Sequence, residues 1–275
     1  MTRKKIYYKF LIVLSLFVQD LSFSQPLEPE AKSEILEVEV KQAVIFDWDN
    51  TLFPTSPLMN RKRPHQQSTG NLGEAFCGFC DNQEITAFDE KVYAVLSASA
   101  ETHDVWVVTA ANKRWIMMSA FSLPQTFQFL LRLDQAGRLK TRDDTSCFLN
   151  YGKNHHFKAI FGIGQMKPSY QKIVSVGDGV GEYEALKLLT SAARPLNVFL
   201  RAIRFQVTPS SVYQVFEQLD KLQDSFSMLS LDHLRLNSSE QGKVFHAYKW
   251  CSMSSTFKDI PEDKLSVYDQ LRDHS

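Results

Sequence analysis

A short apolar run, Val44-Ile45-Phe46, is followed at once by two aspartates, Asp47 and Asp49, and this pattern constrains the fold more than any other part of the chain. Such a run is typical of a buried strand in a parallel sheet. Open α/β sheets bind their ligands at the carboxyl ends of the strands. Because residues i and i+2 project to the same side of an extended segment, both carboxylates are expected to face one bound group.

Two later apolar runs end in polar residues that complement the aspartate pair. Val105–Val108 is followed by Thr109, and Ile173–Val176 is followed by Asp178 and then by Glu182. Helical stretches separate the three runs, and strands that alternate with helices form parallel sheets. The sequence therefore predicts an α/β fold with a doubly wound, Rossmann-like parallel sheet and a polar site at one edge.

Two carboxylates on one side of a strand end suit phosphoryl transfer through a covalent aspartyl phosphate. One carboxylate attacks phosphorus, while the other protonates the leaving oxygen and then deprotonates the water that hydrolyses the intermediate. Acidic pairs after a strand also form turns or act as simple metal ligands. The pair alone does not separate these alternatives.

Taken together, the motifs resemble those of the haloacid dehalogenase (HAD) superfamily of aspartate-nucleophile phosphotransferases. The four elements are Asp-x-Asp-x-Thr, a strand-terminal Thr, an upstream Lys, and Gly-Asp followed by a further acid; they occur in the family order over residues 42–186. The flanking segments 46–54, Arg114-Trp115 and 157–161 are similar to a protist group of HAD-like proteins. The resemblance implies an HAD-like core with little or no cap domain and a phosphatase activity.

The resemblance also implies a role for each motif residue. Asp47 is the expected nucleophile, and Asp49 the general acid and base; an Asp at the second position is typical of the members that act on phosphate esters. Thr109 is expected to hydrogen-bond a phosphoryl oxygen, and Lys158 to neutralise the charge shared by Asp47 and the phosphate. Hard carboxylate oxygens without nearby His or Cys suit Mg²⁺. The expected metal site comprises Asp47, Asp49 through its backbone carbonyl, Asp178 and Glu182, with Glu184 as an alternative to Glu182.

The upstream lysine has three competitors in the sequence, Lys153, Lys167 and Lys172. Lys167 stands only about ten residues before Asp178, which is too close for the helix of a crossover connection. Lys158 leaves about twenty residues, enough for a short helix. Lys158 is therefore the predicted lysine of the site.

The expected substrate is a phosphorylated protein or small molecule. The gaps that follow Asp49 and Thr109 leave no room for a folded cap, and minimal-cap members of the superfamily often act on proteins or other large substrates. The expectation therefore leans towards a protein or bulky phosphoester, with transfer to water as the default and transfer to another acceptor as an alternative. A lid formed by residues 54–85 would instead favour a small-molecule phosphatase. A catalytically silent HAD-fold binding protein is the alternative from a different class.

Composition and the chain termini bound the partners and the location. The 275 residues carry a formal net charge of zero, so general nucleic-acid binding is not expected. Residues 1–24 predict a secretory signal peptide, whose apolar core is much shorter than the roughly 20 residues of a stable membrane span. A linker over 25–40, a catalytic domain over 41–235 and a C-terminal extension over 236–275 complete the predicted organisation. The expected location is the secretory pathway or the cell exterior, with the cytoplasm as the alternative.

The remaining predictions concern cysteines and secondary structure. In a secreted chain, a disulfide between Cys77 and Cys80 and glycosylation at Asn237 become possible. The apolar periodicity predicts helices from about Thr86, over 113–122, over 127–133 and over 210–228, and further strands at 147–149 and in 197–207.

Overall fold

The fold is built on a single sheet in a computed structural model that describes residues 41–61, 82–144, 153–162, 170–193, 198–206, 208–229, 245–251 and 253–260. The strands of this described part are β1 (Gln42–Phe46), β2 (Asp104–Val108), β3 (Leu139–Lys140), β4 (Lys172–Gly177), β5 (Phe199–Arg204), β6 (Phe245–Cys251) and β7 (Thr256–Asp259). They lie in the order β3-β2-β1-β4-β5-β6-β7. The first six in chain order pair in parallel, and β7 runs antiparallel to β6.

The register places the ends of three central strands at the same level. Phe46 of β1 lies opposite Val107 of β2 on one side and Val176 of β4 on the other. The residues that follow these strands therefore meet at one edge of the sheet. The predicted parallel arrangement of these three runs is confirmed.

Helices cover both faces of the sheet, because consecutive residues of β1 from Ala43 to Phe46 are all buried. The helices are α1 (Thr55–Arg61), α2 (Asn82–Thr102), α3 (Lys113–Ala120), α4 (Pro124–Gln135), α5 (Asn154–Phe161), α6 (Val180–Leu188), α7 (Thr190–Ala193) and α8 (Val212–Leu229). Val44 and Phe46 pack with apolar side chains of α2, α4 and α8. Ala43 and Ile45 point the other way and pack with α5 and α6. The prediction of an α/β, Rossmann-like fold is confirmed.

The sheet continues past the predicted boundary at residue 235. Strands β6 and β7 lie in the segment that the sequence analysis assigned to a C-terminal extension, and β6 pairs with β5 through Ala202 and Ala247. Phe257 of β7 stacks on the buried Phe205, with ring centroids 5.7 Å apart. These residues therefore belong to the same packed unit as the earlier strands.

Most predicted elements within the described residues differ from the observed ones only at their ends. Helix α3 ends two residues earlier than predicted, α4 begins earlier, at Pro124, and α2 begins at Asn82 rather than near Thr86. The two-residue strand β3 was not predicted. The predicted strand at 147–149 lies outside the described residues, as do residues 1–40, Cys77, Cys80, Cys147 and Asn237.

Cys251 in β6 is a free thiol. None of the helices that the structure describes is long and apolar enough to cross a membrane.

Asp89 of α2 fixes the start of α4 from outside that helix. The residue that precedes α4 makes no side-chain cap, whereas the buried Asp89 carboxylate accepts hydrogen bonds from the backbone N–H groups of Gln125 and Thr126, both at 2.9 Å. A carboxylate at a helix N-terminus satisfies free N–H groups and interacts favourably with the helix dipole. Asp89 thus couples two helices on the same face of the sheet.

We expect Asp89→Asn to lower the free energy of unfolding by about 1–2 kcal/mol, because the amide loses one acceptor and the negative charge at the helix start. Urea denaturation followed by circular dichroism measures this. The neighbouring Glu90 is exposed, so Glu90→Gln is the matched control. Equal stability of the two variants would contradict the proposed capping role.

Candidate active site

Three polar side chains meet at the carboxyl edge of the sheet, where the sequence placed them. Asp47 directly follows β1, and its N–H donates to the carbonyl of Val176 in β4 at 2.9 Å. This hydrogen bond holds Asp47 beside the end of β4. Thr109 follows β2 and is fully buried. Its hydroxyl oxygen accepts the Ala111 N–H at 3.1 Å, which leaves the hydroxyl hydrogen to donate. Asp178 follows β4.

Lys153, and not the predicted Lys158, is the lysine at this edge. The Lys153 ammonium lies 2.6 Å from Asp47 Oδ1 and also contacts Glu182 Oε1. Lys158 is exposed. Helix α5 buries His156, Phe157, Ile160 and Phe161, and the helical period turns Lys158 away from that face. Of the other competitors, Lys172 begins β4 and so lies at its amino end, and Lys167 is outside the described residues.

Burial dominates the electrostatics of the Asp47–Lys153 pair. Burial raises the pKa of Asp47, the Lys153 ammonium lowers it, and the Glu182 and Asp178 carboxylates raise it again, so that it lies above its usual value. For Lys153, burial lowers the pKa, but the Asp47 and Glu182 charges outweigh that effect and hold the pKa above its usual value. One ammonium therefore balances a cluster with excess negative charge.

Glu182, rather than Glu184, supplies the carboxylate against Lys153, and two glycines make room for it. A Cβ atom at Gly177 would lie 2.6 Å from Glu182 Cγ, and one at Gly179 would lie 2.7 Å from Glu182 Oε2. Within the described residues, Glu182 Oε2 is buried without a hydrogen-bond partner. The Gly-Asp-Gly segment is thus shaped by the side chain that folds back over it.

Asp178 is held by Asn50, from the loop after β1. Asn50 Nδ2 donates to Asp178 Oδ2 at 3.2 Å, and Asn50 Oδ1 accepts the Ser56 N–H at 2.7 Å. Asn50 has a left-handed backbone, with φ of 54°, a conformation that Asn tolerates better than most residues. Burial raises the pKa of Asp178, Glu182 raises it further and the Asn50 hydrogen bond lowers it, with a net value of about 6.

Two side chains with no predicted role in the site, Thr55 and Trp115, orient Asp49. Asp49 Oδ1 accepts the Thr55 hydroxyl at 2.5 Å and the Trp115 indole N–H at 3.0 Å. Because both donors use the same oxygen, Oδ2 is the oxygen left for chemistry. The Trp115 ring packs edge-on against Phe53, with centroids 6.1 Å apart, so the donor is itself fixed.

A cleft of about 350 Å³ opens beside Asp49. Its walls include Thr55 and Met59 from α1, Trp115 from α3, and Arg142 from a short 3₁₀ turn after β3. Clefts of roughly 300 Å³ and above are large enough for small ligands. A group bound in this cleft would lie against Asp49.

The arrangement of the carboxylates suits a hydrated cation better than a metal ion that is fully enclosed by protein side chains. Among the residues that the structure describes, no three His, Cys, Asp or Glu side chains form a set that could enclose a metal ion. Mg²⁺, however, usually keeps several waters and takes only one or two protein carboxylates. Asp47 and Asp178 could supply these: burial raises the pKa values of both and neighbouring carboxylates raise them further, so a bound cation would stabilise their ionised forms. Glu182 has only Oε2 left to offer, because Oε1 contacts Lys153.

Comparisons with models of protein families, with curated proteins and with solved structures gave no match.

Removal of the buried ammonium should destabilise the fold far more than removal of the exposed one. We expect Lys153→Met to lower the free energy of unfolding by about 3–5 kcal/mol at neutral pH, because two buried carboxylates lose their counterion. Lys158→Met, on the exposed face of α5, should change it by less than about 0.5 kcal/mol. Urea denaturation of both variants tests this, and the reverse order would show that Lys153 is not the paired lysine.

The raised pKa of Asp178 predicts how the free energy of unfolding changes with pH. Its pKa of about 6 in the folded chain exceeds the usual 3.8, so the folded state binds more protons between these values and stability falls as pH rises through them. Asp178→Asn, which can keep the contact with Asn50, should flatten that fall by at most about 1.4 kcal/mol per pH unit. Urea denaturation with a chelator from about pH 4 to 8 measures the slope. The exposed Asp224→Asn is the control, and an unchanged slope in Asp178→Asn would refute the assignment.

Proposed function

We propose that this chain is an HAD-like, Mg²⁺-dependent phosphatase that works through an aspartyl phosphate on Asp47. The observation that carries the proposal is the buried Asp47–Lys153 pair at the end of the central strand β1, at 2.6 Å. A carboxylate held against a fixed ammonium at a strand end has the position and the charge environment that attack on a phosphate dianion requires. Thr109, Asp49 and Asp178 surround the same strand ends.

In the first step, a carboxylate oxygen of Asp47 attacks phosphorus, and the bond from phosphorus to the leaving oxygen breaks. Lys153 remains on the other oxygen of Asp47 and offsets the negative charge that the carboxylate shares with the phosphoryl group. Asp49, in its protonated form, transfers a proton from Oδ2 to the leaving oxygen. Thr109 donates its hydroxyl hydrogen to a phosphoryl oxygen.

In the second step, the roles of Asp49 reverse. Its carboxylate takes a proton from a water molecule, the water oxygen attacks phosphorus, and the acyl phosphate bond to Asp47 breaks to release inorganic phosphate. The hydrogen bonds from Thr55 and Trp115 to Oδ1 keep Oδ2 directed at the reacting atoms in both steps. Transfer to an acceptor other than water would follow the same geometry.

Mg²⁺ would be held by Asp47, by the backbone carbonyl of Asp49 and by Asp178, with Glu182 behind them, and when bound it would neutralise charge on the phosphoryl group. Asn50 fixes Asp178 for this purpose. Because Lys153 contacts Glu182 Oε1, Glu182 would support the metal site from behind and would not take the place of Asp47 or Asp178 as a direct ligand.

The shape of the cleft beside Asp49 favours a protein or another bulky phosphoester as the substrate. The cleft beside Asp49 is open, and Met59 in its wall is 47% exposed. An open cleft accepts an extended or bulky phosphoester, and a protein substrate remains the working choice. The competing small-molecule reading depends on a lid from residues 54–85, of which residues 62–81 lie outside the described part of the chain.

One observation favours a second candidate, a catalytically silent binding protein. Lys153 contacts two of the three predicted metal-binding carboxylates, Asp47 and Glu182. Because Lys153 already pairs with these two carboxylates, the cluster can stabilise the fold even if it catalyses no reaction. An activity assay separates the two candidates.

We expect the full-length chain with Mg²⁺ to release phosphate from an aryl phosphate and from a phosphopeptide pool, and to lose this activity on chelation. Asp47→Asn should reduce kcat by at least about a thousandfold because the nucleophile is lost. Asp49→Asn should reduce it by about a hundred- to ten-thousandfold, and less with a good leaving group that needs no proton.

Lys158→Met serves as the control variant and should keep wild-type rates. If the wild type and Asp47→Asn are equally inert while both are folded and bind Mg²⁺, the binding-protein candidate replaces the phosphatase.

A further inference from the structure

We infer that the leaving group of the substrate carries a second anionic group, a carboxylate or a phosphate, and that Arg142 binds it. This inference rests on the proposed phosphatase activity and names the substrate class on which that activity acts. Its basis is the composition of the cleft beside Asp49.

The leaving group must occupy this cleft if Asp49 protonates the leaving oxygen. Asp49 forms part of the cleft wall, and Thr55 and Trp115, which bind its Oδ1, are also in the wall. The oxygen that receives the proton lies within hydrogen-bonding reach of Asp49 Oδ2, so the atoms attached to it extend into the cleft. The remaining side chains of the wall therefore select the leaving group.

Arg142 is anchored through its backbone while its side chain stays available. Its N–H donates to the Ala111 carbonyl at 3.0 Å, and the residue itself is exposed. Across the described ranges, no carboxylate forms an ion pair with its guanidinium group. The two acids that follow it in the 3₁₀ turn are engaged elsewhere: Asp143 accepts the Lys113 N–H at 2.9 Å, and Asp144 accepts the Thr141 N–H at 2.5 Å.

In the part of the chain that the structure describes, the rest of the cleft wall adds donors and apolar surface but no second cation. Asn112 Oδ1 accepts the Trp115 N–H at 2.7 Å as a helix cap, so the part of its amide that remains is the NH₂ group. Ala110, Ala111 and Met59 complete the lining. A guanidinium beside an amide donor matches the oxygens of a carboxylate or phosphate. A neutral leaving group makes no use of Arg142, and a cationic one is repelled by it.

The test compares pairs of substrates of similar size and shape that differ chiefly in the second charge. 4-Carboxyphenyl phosphate is paired with neutral 4-carbamoylphenyl phosphate, and 2-phosphoglycolate with neutral 2-phosphoglycolamide, so that two distances from phosphorus are sampled. For the wild type, kcat/KM should favour the charged member of at least one pair by about tenfold or more, as expected for a charge-assisted hydrogen bond. In Arg142→Gln this ratio should fall towards unity, and in Arg142→Lys it should be partly kept.

Arg132→Gln provides the matched control, because Arg132 is an exposed arginine on α4 outside the cleft wall, and it should leave the ratio at the wild-type value. Circular dichroism confirms that the variants are folded. If the wild type hydrolyses charged and neutral members equally, or if Arg142→Gln keeps the preference, this inference is wrong and the phosphatase proposal stands. If the wild type hydrolyses none of the four compounds or any aryl phosphate, the phosphatase proposal fails and this inference fails with it.

Discussion

The ammonium group of Lys153, buried between two carboxylates, is the interaction on which the rest of the site depends. Transfer of unpaired charges from water into a protein interior is strongly unfavourable, so the buried carboxyl groups of Asp47 and Glu182 need a counterion. The lysine stands just before α5 and reaches both the end of β1 and the start of α6. It therefore joins three separate parts of the chain, and the glycines that flank Asp178 give Glu182 the space to meet it.

The features that the sequence predicted are those fixed by local pattern. Apolar runs that end in polar residues identified β1, β2 and β4, and the common direction of parallel strands then brought Asp47, Thr109 and Asp178 to one edge. Helical periodicity likewise identified α3, α4 and α8 to within a few residues. These predictions succeeded because the spacing of apolar residues along the chain indicates which side chains are buried on a face of a sheet or a helix.

The features that the sequence did not predict depend on contacts between distant segments. Lys158 was chosen from its distance to Asp178, although the apolar positions of α5 already place it on the exposed face; periodicity was the better guide. Nothing local shows that Trp115 meets Asp49, because 66 residues separate the two. Strand β6 alternates polar and apolar residues only weakly, and its place beside β5 follows from pairing rather than from its own composition.

The two outer strands of the described sheet affect whether copies of this chain can associate through their sheets. At one end of the described sheet stands β3, only two residues long, and at the other stands β7, four residues long and antiparallel. A long, flat outer strand offers a row of free N–H and C=O groups that can recruit a strand from another molecule, whereas short outer strands offer few. The central strands, which are apolar and rich in β-branched residues, are thus screened on both sides against intermolecular sheet extension and aggregation.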